Sequence, residues 1–301
     1  MGISTGFFRP GGASTVDIGA NLVEKSYLID RYPELADTFK QAGLWSWGYN
    51  FSGELGDNSI THRSSPVQTV SGGTNWKLVA GSDHTAAIKT DGTLWLWGRN
   101  YGELGDNSTT SKSSPVQTVS GGTNWKLVAA GVGARHTTAI KTDGTLWTWG
   151  DNAFGQLGDN TVATKSSPIQ TVSGGTNWKQ VAVGYAHTAA IKTDGTLWTW
   201  GYNLDGQLGD NSTTRKSSPV QTVSGGTNWK LVTGGQYHTA SIKTDGTLWI
   251  WGRNTNGQLG VNDITHRSSP VQTVAGGTNW KLVAGVGDRT ACIRDDSADP
   301  I

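Results

Sequence analysis

His-Thr-Ala-Ala-Ile-Lys-Thr-Asp-Gly-Thr-Leu-Trp-Thr-Trp-Gly, residues 187–201, decides how this chain is read. It contains two short β-prone runs joined by Asp194-Gly195. Asp-Gly between such runs predicts a hairpin with a type I′ turn, whose central residues both need positive φ. The same dipeptide stands at 91–92, 143–144 and 245–246. The outgoing half, Leu-Trp-x-Trp-Gly, recurs at 44–48, 94–98, 146–150, 197–201 and 248–252. Its second Trp falls at 47, 97, 149, 200 and 251, so the chain repeats with a period of about 51 residues. A second marker, Asn-Trp-Lys, carries Trp76, Trp125, Trp178, Trp229 and Trp280. Together the two motifs use all 15 tryptophans, which makes scaffold packing their role.

Two further strands complete the unit. Pro-Val-Gln-Thr-Val (66–70 and equivalents) starts with a proline, which suits the first position of a strand. Trp-Lys-Leu-Val (76–79 and equivalents) is entered through a Gly-Gly-Thr-Asn turn. Four strands per repeat, with no helical periodicity, is the signature of a β-propeller blade. The array begins at Leu44 with an outgoing half-hairpin and ends at 288–296 with an incoming one. Each end holds what the other lacks, so the expected fold is all-β: a propeller of five four-stranded blades, one composed from both chain ends. An open arc of five units is the alternative.

Composition sets the functional bounds. Lys plus Arg is 24 against 23 Asp plus Glu, a net charge of +1, which argues against a nucleic-acid partner held by a basic face. The single cysteine, Cys292, rules out a disulfide framework or a thiolate metal cage. No apolar run approaches the 18 or so residues of a membrane span, and Met1–Pro10 lacks the pattern of a secretory signal. Residues 1–43 stand outside the repeat and divide the chain from the propeller domain at 44–301. They read as an extended arm and two short helices broken at Tyr32-Pro33. Such a segment has no core of its own, and the expectation is an anchor to a larger protein assembly through Phe7, Phe8, Tyr27, Leu28, Tyr32, Leu35 and Phe39. A strap lying on the propeller is the alternative.

The pattern Gly-x-x-His-Thr-Ala-Ala-Ile-Lys-Thr-Asp-Gly-Thr-Leu-Trp-x-Trp-Gly, followed by Gly-Gln-Leu-Gly and a Pro, resembles the repeat of the regulator of chromosome condensation family. The resemblance runs from 44 to about 295 and implies a propeller. Members commonly have seven blades, so five repeats is a departure. Eukaryotic members act as a nucleotide exchange factor on chromatin. No exchange wedge or basic tail is reproduced here, so that activity is not carried over. The near-identical units look more like bacterial and bacteriophage versions, and residues 1–43 resemble in style structural proteins of cyanophages and related marine phages.

Several residues invite chemistry. His84, His136, His187 and His238 share one repeat position, but the fifth unit has Arg289 there, and a structural hydrogen bond to a neighbouring loop explains them better than a metal axis. Asp57, Asp106, Asp159 and Asp210 in Gly-Asp-Asn could suggest calcium, yet Val261 replaces them in the last unit and turn formation suffices. Glu54 and Glu103 alternate with Gln156, Gln207 and Gln258, which does not make a carboxylate pair. His62 and His266 read as solvated. No catalytic residue, metal or cofactor is expected.

What varies between units is informative. Two loops change while strands and turns do not, and the path of the chain through an up-and-down blade puts both at one end of the ring. The expected ligand-binding face consists of Tyr49, Phe51, Arg99, Tyr101, Phe154, Tyr185, Tyr202, Tyr237 and Arg253. Lys192, beside a constant turn at the opposite end, is expected to matter little for binding. The function read from this is a non-enzymatic binding or display module in a virion, a tail fibre, baseplate or decoration protein contacting a host-surface glycan or neighbouring subunits. A bacterial cytoplasmic protein-interaction propeller is the alternative, and a carbohydrate-active enzyme a distant third.

Overall fold

The computed structural model describes residues 43–295 except 72, 74 and 132, and these form strands joined by turns and loops. Four antiparallel blades follow one another in chain order. The first is β3 (Trp76–Gly81), β4 (His84–Lys89), β5 (Leu94–Gly98) and β6 (Lys112–Gln117). The second is β7 (Trp125–Ala129), β8 (His136–Lys141), β9 (Leu146–Gly150) and β10 (Lys165–Gln170). The third is β11 (Trp178–Val183), β12 (His187–Lys192), β13 (Leu197–Gly201) and β14 (Lys216–Gln221). The fourth is β15 (Trp229–Gly234), β16 (His238–Lys243), β17 (Leu248–Gly252) and β18 (Arg267–Gln272). The all-β, four-stranded blade reading holds. The first strands line a central apolar cavity of about 290 Å³, with Ala129, Val181, Val183, Val232 and Val283 in its wall.

Two local expectations change. Gly195 has φ of +80° and its N–H bonds back to Lys192 O, but Asp194 is not in the positive-φ region. The turn is therefore not type I′; it has the three-residue form that ends on a left-handed glycine bulge. Asp194 serves it through Oδ1, which accepts from the N–H and hydroxyl of Thr196. A Cβ on Gly195 would lie 2.0 Å from Thr227 O of the next blade, so close approach as well as φ fixes glycine here. The outer strand also starts three residues before its proline, at Arg63, Lys112, Lys165, Lys216 and Arg267. Its pairing skips from Thr199↔Val220 to Gly201↔Lys216, and Pro219 sits within that bulge on the blade's edge strand, where a missing donor costs nothing.

Blades are joined by latches built from the repeat itself. Trp200 Nε1 and Thr188 Oγ1 both donate to Gln156 O, at 2.9 Å each, from the third blade to a loop of the second. Trp97, Trp149 and Trp251 do the same with Glu54 O, Glu103 O and Gln207 O. The glycine two residues after each of these carbonyls lies under the indole: a Cβ on Gly158 would sit 2.8 Å from Trp200 Nε1. His187 Nε2 meets Thr239 Oγ1 at 3.0 Å, and His84 and His136 repeat the contact at the two preceding junctions. Because each threonine hydroxyl donates to a carbonyl, the imidazole is the donor and its Nδ1 carries no proton. Those Nδ1 atoms are buried without a partner. The histidines are thus structural, and their partner is the next blade's threonine rather than a loop.

The seam is where the fold departs from the regular ring. β1 (Trp45–Gly48) pairs only with β2 (Arg63–Gln68), and β19 (Trp280–Val286) only with β20 (Arg289–Arg294). Both halves of the fifth blade are present, but the β20–β1 ladder between them is not formed among the described residues. Trp47 is 40% exposed, whereas its four counterparts are fully buried. The loop after β17 shows why: Gly257 and Gly260, whose equivalents press on Ser217 and Trp200, meet open space or only the Thr273 methyl. Among the described residues no indole latch reaches this loop. The expected anchor residues, Phe7, Phe8, Tyr27, Leu28, Tyr32, Leu35 and Phe39, and the short helices around them lie outside the described residues.

Candidate recognition face

A constant cage holds the variable loops. The asparagine two residues after each Leu-Trp-x-Trp-Gly glycine, a position the sequence reading did not single out although it recurs in all five units, is fully or almost fully buried. Asn203 accepts from Leu208 N at 2.9 Å through Oδ1, and its Nδ2 faces Asp210 Oδ1, Ser212 O and Thr214 O. Gln207 Oε1 accepts from Asp205 N. Glu103 holds the corresponding Tyr101 N and also meets Arg99 Nε at 3.3 Å. Burial raises the Glu103 carboxyl above the usual range, against the opposing pull of these hydrogen bonds and the Arg99 charge. The glutamates are therefore loop braces.

The Gly-Asp-Asn aspartates are braces too. Asp57 pairs with Arg63 at 2.8 Å, and Asp106, Asp159 and Asp210 face Lys112, Lys165 and Lys216. The following asparagines, from Asn58 to Asn262, sit at φ near +60°, a conformation asparagine tolerates, and Asn160 N bonds to Ser217 O of the next blade. Among the described residues no three His, Cys, Asp or Glu side chains gather to hold a metal ion. His62 and His266 are not merely solvated: their Nδ1 atoms accept from Asn50 N and Asn254 N.

On this cage the predicted face assembles in part. Phe154 and Tyr202 meet edge to face with centroids 5.0 Å apart, Tyr202 lies 5.9 Å from Tyr237, and Tyr237 5.4 Å from Tyr185. The Arg253 guanidinium stacks 3.9 Å from the Tyr237 centroid and is held there by Asp205 at 3.1 Å. Burial raises the Tyr237 phenol, with the Tyr185 ring adding to the shift, so it stays a neutral donor. These five residues come from five loops on three successive blades and form one half-exposed platform. Arg99 and Tyr101 belong to a second group, in which Tyr101 lies between Arg99 and Arg135 at 5.8 and 5.6 Å. Tyr49 stacks on His62 at 4.9 Å, apart from both groups. Phe51 is 69% exposed. Arg135, Arg215 and Asp205 were missed as site residues, because only the neighbouring blade reveals the ring that each arginine meets and the Arg253 that Asp205 holds.

The opposite end holds a different arrangement. Lys192 Nζ lies 4.8 and 4.6 Å from the Trp178 and Trp198 rings, and Lys89, Lys141 and Lys243 repeat the sandwich. Lys192 is therefore not neutral for stability. Lys192→Ala is expected to cost about 0.5–2 kcal/mol in thermal or denaturant unfolding, against no measurable change for the exposed Thr193→Ala. Equal stability of the two variants would remove the sandwich from the energetics.

The RCC1-like domain profile matches residues 38–298. The Ultraviolet-B receptor UVR8 of Arabidopsis thaliana is 35% identical over 240 residues, which is 78% of this chain and 54% of that protein. The mitochondrial RCC1 domain-containing protein RUG3 of the same plant is 30% identical over 77% of this chain and 55% of its own length. The chain thus spans about half the length of these relatives. Among solved structures, human WBSCR16 superposes with a TM-score of 0.72 at 23% identity, covering 85% of this chain and 68% of that one. Yeast RCC1 (Prp20), solved bound to Kap60, gives 0.71 at 19% identity, covering 85% and 64%. These relatives are eukaryotic and do not point to a bacterial or bacteriophage version of the repeat. Sequence and fold agree that this chain belongs to the RCC1-like domain family of β-propellers.

Proposed function

We propose that the chain is a protein-binding propeller whose partner docks on the variable-loop face. The platform of Phe154, Tyr202, Tyr237 and Tyr185 carries this reading. Rings held by a buried polar cage present large contact area at low entropic cost, which is how binding hot spots are built. Prp20p of Saccharomyces cerevisiae, a protein of the same fold, binds Gsp1p and histones, so protein partners have a precedent on this scaffold. The virion setting and host glycan gain nothing from the relatives and are not needed by this reading, although flat aromatic rings also suit sugars.

The test places a photo-crosslinking residue at Leu204, exposed beside the platform, or at Thr193, exposed on the opposite end. Protein adducts are expected from Leu204 and not from Thr193, and they should vanish when Tyr202→Ala and Tyr237→Ala are added. Adducts from Thr193 that survive those changes would put the partner on the other face. Binding on a glycan array, with no protein adduct, would favour a sugar ligand.

A further inference from the structure

Charge on the loop face is almost entirely committed. The cation that opens each outer strand is tied to the aspartate of its own loop in all five units, Arg63 to Asp57 at one end of the series and Arg267 to Asp263, at 2.5 Å, at the other. Arg99 is shared by Asp83 and Glu103, and Arg253 is held by Asp205, which also receives His266 at 3.5 Å. Asp151 accepts from Ala153 N, and Asp288 lies 3.5 Å from Gln258 Nε2. Three exposed arginines stand apart, and of these Arg289, at the head of the fifth blade's last strand, meets no ring among the described residues, whereas Arg135 and Arg215 do. Neither Arg135 nor Arg215 has a carboxylate within salt-bridge distance among the described residues, yet each is pinned to a ring. Arg135 stacks 5.6 Å from the Tyr101 centroid, and Arg215 5.6 Å from the Phe154 centroid, with a weak bond to Ala153 O at 3.5 Å.

Both arginines occupy positions where the repeat sets no residue. Arg135 corresponds to Asp83, Ala186, Tyr237 and Asp288 in the other units, and Arg215 to His62, Ser111, Thr164 and His266. Neither belongs to a latch or a cage, so the scaffold does not require them. The ring contact holds each guanidinium in place without using its N–H donors, and apart from the weak Arg215 bond to Ala153 O those donors are available to take a carboxylate in bidentate fashion. Phe154 belongs to the aromatic platform itself, so one fork stands at the platform's edge and the other across the adjoining blade junction.

We propose that the partner segment received by this face is acidic, with carboxylates taken by Arg135 and Arg215 while its apolar or aromatic side chains rest on the platform. The inference rests on the loop-face reading above and adds the chemistry of what binds there. The face as a whole is close to neutral, so recognition is by two placed forks rather than by a broad basic field.

The probe is a fluorescein-labelled peptide of alternating glutamate and tyrosine, compared by anisotropy with its glutamine-for-glutamate twin on the full chain. The glutamate peptide is expected to bind at least tenfold more tightly, and its affinity to fall as salt rises. Arg135→Ala with Arg215→Ala should erase that preference. Arg135→Lys with Arg215→Lys should restore only part of it, since an ammonium lacks the fork. Thermal melts of these variants should match the parent, because the two side chains stand outside the cage. Equal affinity for the two peptides, or no binding of either, overturns the proposal, as does a preference unchanged in the alanine variants. The crosslinking experiment separates the two levels. Adducts lost in the tyrosine variants but kept in the arginine variants retain the loop face and reject the acidic segment. Adducts indifferent to both sets reject the loop face itself.

Discussion

Lowering the pH from about 7.5 to about 5 is expected to destabilise the propeller by several kcal/mol. Burial pushes His84, His136 and His187 down to about 3, with a nearby charge adding to the shift in each, and burial pushes His238 down to about 4. The cause is geometric. Each Nε2–H is spent on the threonine of the next blade, and each Nδ1 faces a buried space with no acceptor for a second proton. The folded chain therefore stays neutral at these rings while the unfolded chain binds protons below its ordinary value of 6.5. Their stabilisation is complete above that value and is lost progressively as pH falls toward 3–4. At pH about 5 each ring costs roughly 2 kcal/mol, so four cost on the order of 5–8 kcal/mol, comparable to the whole stability of many domains. Glu103, whose carboxyl is raised by burial, works in the opposite sense, but it is one group against four. Calorimetry across this range should show Tm level near neutrality and lower by at least about 10 °C at pH about 5. A Tm independent of pH between about 7 and 5 would mean the rings are hydrated in solution.

The second large effect separates two tryptophans that occupy the same position in the repeat. Trp200 is fully buried and latches the third blade to the second through Gln156 O. Trp200→Ala removes the ring and leaves a cavity at the junction, and is expected to cost about 3–5 kcal/mol. Trp200→Phe keeps most of the packing and loses only the indole donor. Since Gln156 O still receives the Thr188 hydroxyl, its cost should be nearer 1–2 kcal/mol. Trp47, at the open seam and 40% exposed, should cost less than about 1 kcal/mol when replaced by alanine. Denaturant unfolding of the three variants gives the comparison directly. A Trp47→Ala cost equal to that of Trp200→Ala would show that the seam closes in solution, with Trp47 buried over Gly260 as Trp200 is over Gly158.

The repeat made the blade legible because its marks are local. Leu-Trp-x-Trp, Asp-Gly and Gly-Gly-Thr-Asn each specify a strand or turn from a few adjacent residues, and the period of about 51 orders them. The common end of the two variable loops followed from counting strands. The turn type did not follow, because Asp-Gly allows both the mirror turn and the left-handed glycine bulge, and the dihedral angle of Asp194 separates them only in the folded chain. Nor did the position of the proline, since only the pairing partner shows that Pro219 lies in a bulge on an edge strand.

Sequence by itself determined that this chain is built of β-propeller blades, that its tryptophans and histidines belong to the scaffold, and that its individuality lies in the loops at one end. Those are properties of a single repeat, written in residues close together in the chain. Tertiary structure alone decided what happens between repeats: which aromatic rings touch, which arginines lie on a ring with no carboxylate partner among the described residues, and that the ends at β1 and β20 stand as separate sheets. Contacts such as Tyr202 on Tyr237, or Arg135 on Tyr101, join residues about 35 positions apart on neighbouring blades. Their distances depend on how one blade is set against the next, and that angle is fixed by latches in which the whole junction takes part.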